Sequence, residues 1–153
     1  MSQTLDHLDR AILRALQQDG SLSQRDLADR VGLSQNACAR RLHALRDSGI
    51  ITGTRVTLDA ARAGLGLTVF VMVRTRHHSR DWLADFRRVV LALPNVIDFY
   101  RIAGDYDYML KVVAEDMNAY DQVYQRLIDR MDLDAVTSVI TMEAIADHRI
   151  LPV

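Results

Sequence analysis

Little in this chain points to an architecture held by covalent staples or metals. Its 153 residues include one cysteine, Cys38, so no intramolecular disulfide can form and no thiol pair has ligand spacing. That usage fits a reducing compartment. Two prolines and seven glycines are too few for a collagen-like or low-complexity chain. No apolar run reaches the roughly 18 residues that a membrane-spanning helix requires. The opening residues, Met1-Ser2-Gln3-Thr4-Leu5-Asp6, lack the basic start and apolar stretch of a signal peptide. A cytoplasmic protein without membrane contact is expected. A global basic excess is missing too, since the net charge is -1.

What is present is an ordinary globular composition, 49% hydrophobic and 25% charged, long enough for one fair-sized core or two small ones. Charge distribution favours two. The first 56 residues hold eight Arg against six Asp, while the remainder is acidic on balance; a basic N-terminal part is the sign expected of a nucleic-acid contact.

Leu5, Leu8, Ile12 and Leu16 recur at helical spacing, predicting a helix over 5–18 that stops at Asp19-Gly20. Ser23-Gln24-Arg25-Asp26 is a capping-box-like start for a second helix, with Leu27, Ala28 and Val31 as its buried side. Gly32-Leu33-Ser34 then forms a short break, and Ser34 caps a third helix over 35–48 whose apolar face is Cys38, Leu42 and Leu45. Gly49-Ile50-Ile51 terminates it.

The opposite face of this third helix displays Gln35, Asn36, Arg40 and His43, with no acid before Asp47. Asn and Gln can bond adenine at two points and Arg can bond guanine likewise. This is the order of a helix-turn-helix, so the four are candidate base readers, with His43 a turn further along than the rest. Ser34, Arg25, Arg41, Arg46 and Arg55 are candidate phosphate contacts. Ile50 to Leu58 alternates enough to predict a short strand or wing. A solvated polar face on any three-helix unit is the plain alternative; a capped helix, a glycine turn and a capped acid-free basic helix in succession argue against it.

Residues 60–66, small and glycine-bearing, read as a linker between a first domain over 1–59 and a second over 67–153. Leu67 to Arg76 predicts a strand; Ser79 caps a helix burying Trp82, Phe86, Val89, Val90 and Leu93; Val96 to Ala103 and Tyr106 to Val112 predict two strands about a Gly104-Asp105 turn. Asp116 caps a helix with Tyr120, Tyr124, Leu127 and Met131, and Ala135 to Ala144 predicts a last strand. The order βαββαβ is that of a ferredoxin-like domain, with both helices on one face of an antiparallel sheet. The fold class is therefore α+β, a winged helix-turn-helix followed by a ferredoxin-like domain. Several strands are apolar on both sides, for instance Val69, Val71 and Val73 alternating with Phe70 and Met72. A second copy of the chain is the simplest cover, and a twofold dimer would suit a pseudo-palindromic operator in double-stranded DNA.

The Leu-Asp pattern at Leu8-Asp9 with Ile12-Leu13, or at Leu5-Asp6, the string Leu27-Ala28-x-x-Val31-Gly32-Leu33-Ser34, and the turn Gly104-Asp105-Tyr106-Asp107-Tyr108 resemble the leucine-responsive and asparagine-responsive (Lrp/AsnC) regulator family over nearly the whole chain. Gly64-Leu65-Gly66-Leu67-Thr68 and His77-His78-Ser79 are similar to the branch that contains a cysteine-responsive activator of cysteine desulfidase genes. The resemblance implies a transcription regulator whose C-terminal (RAM-type) domain binds a small amino acid, with dimers joining into tetramers or octamers on nucleoid DNA. The family often has proline just after the serine matching Ser34, where this chain has Gln35-Asn36-Ala37, so operator sequence does not carry over.

The same resemblance implies an effector site at the loop Gly104 to Asp107. There Gly104 lets a ligand approach the backbone, Asp105 or Asp107 can take an ammonium group, and Arg101 can hold a carboxylate. Tyr106 lies among them, and Thr137 and Ser138 can add hydroxyls. A plain tight turn is the other reading of Gly-Asp. No metal or other cofactor is expected: His77 and His78 point apart on a strand, and His148 adds no carboxylate or thiol at ligand spacing. No catalytic constellation is found either, so an enzyme or an enzyme's regulatory subunit is the weaker alternative, alongside a DNA-wrapping architectural protein without ligand control.

Overall fold

The structure, a computed structural model, describes residues 4–153, so Met1, Ser2 and Gln3 of the expected first domain lie outside it. The chain forms two compact units. One reaches Thr57 and takes in Ala146–Val153; the other is Leu58–Ile145.

In the first unit, α1 (His7–Gln18) starts two residues later than its apolar spacing predicts, because Asp6 serves as its cap. Asp6 Oδ1 accepts the Asp9 N–H at 2.8 Å and Asp9 Oδ2 accepts the Asp6 N–H at 3.2 Å, a reciprocal capping box. Ser23 caps α2 (Gln24–Val31) and Ser34 caps α3 (Gln35–Asp47); each such cap contributes about 1 kcal/mol. Between them Gly32 sits at φ 71°, a left-handed position that a side chain would strain, and the Leu33 N–H bonds the Ala28 carbonyl at 2.9 Å. Ile12, Leu27, Ala28, Cys38 and Leu45 close the core, each at most 1% exposed.

Two features of this unit depart from expectation. No strand forms over 50–58; among the described residues no backbone hydrogen bond joins 52–58 to another segment, and a strand without a neighbour has nothing to bond. The chain's last eight residues, assigned by sequence to the second domain, pack on the helices instead. Gln17 brackets Leu151, its Oε1 accepting the Leu151 N–H at 2.6 Å and its Nε2 donating to the Leu151 carbonyl at 3.2 Å. Arg14 donates to the Val153 carbonyl at 2.9 Å, and Val153 packs against the helical core.

The second unit is β1 (Leu67–Arg74), α4 (Arg80–Leu91), β2 (Val96–Arg101), β3 (Tyr108–Ala114), α5 (Met117–Ile128) and β4 (Ala135–Ile140), with sheet order β2-β3-β1-β4 and every pair antiparallel. Val69, Val71 and Val73 of β1 share a core with Leu110 and Val112 of β3, Phe86 and Val90 of α4, and Tyr120, Val123 and Leu127 of α5. Both helices therefore cover one face. Across the other runs the row Tyr100, Met109, Met72 and Thr137, with Phe70 and Val139 beside it; Tyr100 and Val139 stay about half exposed. β4 ends at Ile140, short of the expected Ala144, after the Thr141 N–H makes a last bond to the Thr68 carbonyl.

Candidate nucleic-acid interface and effector loop

Position 36, 40 and 43 fall on one stripe of α3, since steps of four and three nearly complete helical turns. Asn36, Arg40 and His43 are exposed there, and Gln35 is exposed a step round the axis. Among the described residues no hydrogen bond or ion pair engages Gln35, Asn36 or Arg40. His43 Nδ1 stands 3.9 Å from Asp47 Oδ2, so the stripe ends on an acid and its donor-rich part is the N-terminal half. Behind it Cys38 is fully buried, and desolvation raises its thiol above the ordinary value, a setting for an inert thiol.

The expected phosphate contacts divide. Ser34 is exposed, and its Oγ accepts the Ala37 N–H at 3.3 Å. Arg25, Arg46 and Arg55 are exposed; Arg46 and Arg55 rim a hollow of about 580 Å³ floored by Leu13, Leu16, Leu27 and Leu42. Arg41 differs. Its Nη1 donates to Asp6 Oδ2 at 2.7 Å and to Asp9 Oδ1 at 2.8 Å, so the guanidinium points into its own unit. Sequence spacing placed Arg41 on a flank of the helix but held no sign of this pairing, which bridges residues 32 and 35 apart.

In the second unit the turn is wider than Gly-Asp, because β2 ends at Arg101 and β3 starts at Tyr108. The Ile102 N–H bonds the Asp107 carbonyl at 2.9 Å and closes the loop, inside which Gly104 has φ 131°. Arg101, Gly104 and Asp105 are exposed. Asp107 is committed to the fold: Oδ2 accepts the N–H of buried Thr75 at 2.8 Å, and its own N–H bonds the Val73 carbonyl at 2.9 Å. Tyr106 and Thr137 share a hydroxyl–hydroxyl bond of 2.9 Å.

Thr137 and Ser138 do not act together. Thr137 pairs with Met72 on the open face, whereas Ser138 pairs with Val71 on the helical face and bonds the Tyr120 phenol. Successive strand residues point oppositely, so the loop and Tyr106 gather Thr137 and leave Ser138 out. Sequence reading missed Thr75, whose backbone anchors Asp107, and Asp134, which takes Arg74 at 2.6 Å and Arg76 at 2.5 Å. His77 bonds Asp132 at 2.9 Å and stacks near Trp82.

A three-helix unit with an exposed polar stripe, followed in the chain by a ferredoxin-like unit, has the organisation of a DNA-binding regulator with a second, separate domain. The chain belongs to the Lrp/AsnC family. Residues 68–151 match the family described as "Lrp/AsnC ligand binding domain", and residues 5–52 match "Winged helix-turn-helix DNA-binding". The chain is 44% identical over 150 residues to the DNA-binding transcriptional activator DecR of Escherichia coli, covering 97% of this chain and 99% of that protein. It is 41% identical over 152 residues to the glutamate uptake regulatory protein of Zymomonas mobilis, covering 99% and 93%. Among solved structures, an AsnC family transcriptional regulator from Agrobacterium tumefaciens superposes with TM-score 0.93 at 43% identity, covering 97% of each chain. The transcriptional regulator NMB0573 of Neisseria meningitidis, in complex with L-Met, gives 0.91 at 33% identity, again covering 97% of each. This chain is thus a ligand-modulated, DNA-binding transcription regulator. Among the described residues no helix is long and apolar enough to cross a membrane.

Proposed function

We propose that this regulator reads a pseudo-palindromic operator with Gln35, Asn36 and Arg40, assisted by His43, while Ser34, Arg25, Arg46 and Arg55 hold phosphates. The carrying observation is the N-terminal half of the stripe on α3, where the side chains of Gln35, Asn36 and Arg40 have no hydrogen-bond or ion-pair partner among the described residues. Unsatisfied donors and acceptors at a helix N-terminal half suit base edges in a major groove.

A small amino acid is the effector, held at the loop 101–107. Gly104 admits close approach, Arg101 takes the carboxylate and Asp105 the ammonium; Tyr106 and Thr137 form the wall, and Asp107 keeps the loop in shape. The L-Met complex of the Neisseria relative supports an amino acid as the ligand class, and a sulfur-containing or other small apolar side chain suits the Met72, Met109 and Tyr106 surroundings. The open sheet face pairs with a second copy, and dimers join into tetramers or octamers. The protein acts in the cytoplasm on nucleoid DNA and releases its amino acid unaltered.

Selection of duplexes from random DNA, followed by calorimetry with each proteinogenic amino acid, tests the reading. One enriched motif and one tight amino acid support it. Equal binding to all DNA would make the protein architectural, and silence from every amino acid would remove the effector.

A further inference from the structure

We propose that Arg41 is a positioning residue for base reading: it locks α3 to the N-terminus of α1 and makes no contact with DNA. The proposal rests on the reading of α3 as the recognition helix, and concerns how that helix is held.

The capping box of α1 uses one oxygen of each carboxylate, Asp6 Oδ1 for the Asp9 N–H and Asp9 Oδ2 for the Asp6 N–H. Arg41 Nη1 takes the two that remain, Asp6 Oδ2 and Asp9 Oδ1. The arginine therefore completes a closed network in which both carboxyl groups are satisfied at each oxygen. The Asp9 side chain is only 10% exposed, so its charge needs a partner inside the unit. Asp6 is held below its ordinary carboxylate value first by the Asp9 N–H and then by Arg41. One guanidinium facing two carboxylates leaves the cluster net negative, and the more open of the two acids is Asp6, whose side chain is 46% exposed against 28% for Arg41. An anion is repelled from this arginine.

The apolar seam of Cys38, Leu42 and Leu45 sets how deeply α3 sits, yet apolar contact is non-directional and leaves rotation about the helix axis soft. A charge-assisted bridge is directional. Arg41 follows Arg40 in the chain, about 100° round the axis, so fixing Arg41 fixes where Arg40 and Asn36 point. Two-point base bonding fails when a side chain is misaimed, whereas phosphate contact tolerates it.

Salt and sequence dependence separate the roles. Equilibrium binding of wild type, Arg41→Ala, Arg41→Lys, Asp6→Asn and Arg40→Ala is measured on a selected duplex and on random duplex over a salt series. Positioning predicts that Arg41→Ala loses about tenfold on the selected duplex and little on random DNA, with the slope of log K against log salt unchanged. A phosphate contact would instead flatten that slope by about 0.9 and weaken both DNAs alike. Asp6→Asn, at an exposed site where the fold survives, gives a result of opposite sign under the two views. Removing a negative charge tightens all DNA if only charge matters, while loosening the bridge weakens the selected duplex if Arg41 positions α3. Arg41→Lys retains the charge but not the fork, and loses discrimination as well. A flattened slope for Arg41→Ala, or uniform tightening for Asp6→Asn, overturns the proposal. Loss of discrimination by Arg40→Ala with none by Arg41→Ala overturns it alone; indifference of both overturns the recognition helix itself.

Discussion

The stripe on α3 and the loop at 101–107 are both polar, and they differ in what their side chains already do. On α3, Gln35, Asn36 and Arg40 are exposed, and their side chains have no partner among the described residues. In the loop, Asp107 bonds Thr75 and Tyr106 bonds Thr137, so much of the polar chemistry is internal and only Arg101, Asp105 and backbone stand open. Under the proposed assignments the stripe meets a large partner and is finished by it, whereas the loop must be held in shape by its own chain, so the residues that shape it resemble those that bind.

Arg40→Ala breaks the comparison on the DNA side, with an expected cost of about 1–3 kcal/mol on the preferred duplex and relaxed base choice; competition binding against single-base variants measures it. Arg46→Ala weakens all sites alike. On the effector side Gly104→Val places a branched side chain at φ 131°, where strain of about 1–3 kcal/mol is expected. Calorimetry should show amino-acid binding lost while DNA binding without effector persists. Thr137→Val removes the partner of Tyr106 and should weaken the amino acid by about 1 kcal/mol. Ser138→Ala, on the opposite face, should leave that affinity unchanged, and equal effects from the pair would sink the facing assignment.

Acid gives a smaller contrast. Asp6 is depressed below its ordinary value of 3.8, so its contribution is present above that pH and fades as pH falls through the lowered folded value. Circular dichroism on acid titration should show helix stability declining below about pH 4, with Asp6→Asn less stable at neutral pH and flatter in acid. Smallest of all, Gln17→Ala should free the C-terminal segment, read as faster tryptic cleavage after Arg149; unchanged cleavage would mean the Gln17–Leu151 bracket holds nothing.

The helices, their caps and their apolar seams were legible because each rests on residues three or four apart. Ser23, Ser34, Ser79 and Asp116 all cap as their positions predict. The βαββαβ order was legible from period and punctuation. Other features depend on residues remote in sequence. The segment 50–58 reads as a strand by alternation, but a strand requires a neighbour, and among the described residues none bonds the backbone of 52–58. Arg41 reads as a phosphate contact beside Arg40 until the capping box of α1 comes to meet it. Residues 146–153 read as the end of the second domain until Gln17 and Arg14 receive them.

Sequence alone determined which segments coil, which extend, and that α3 carries a readable polar stripe, because periodicity and capping are local. Tertiary structure decided which of those polar groups remain open. Strand register put Thr137 and Ser138 on opposite faces, and helix packing turned Arg41 inward, since partners separated by dozens of residues meet only when the chain is folded.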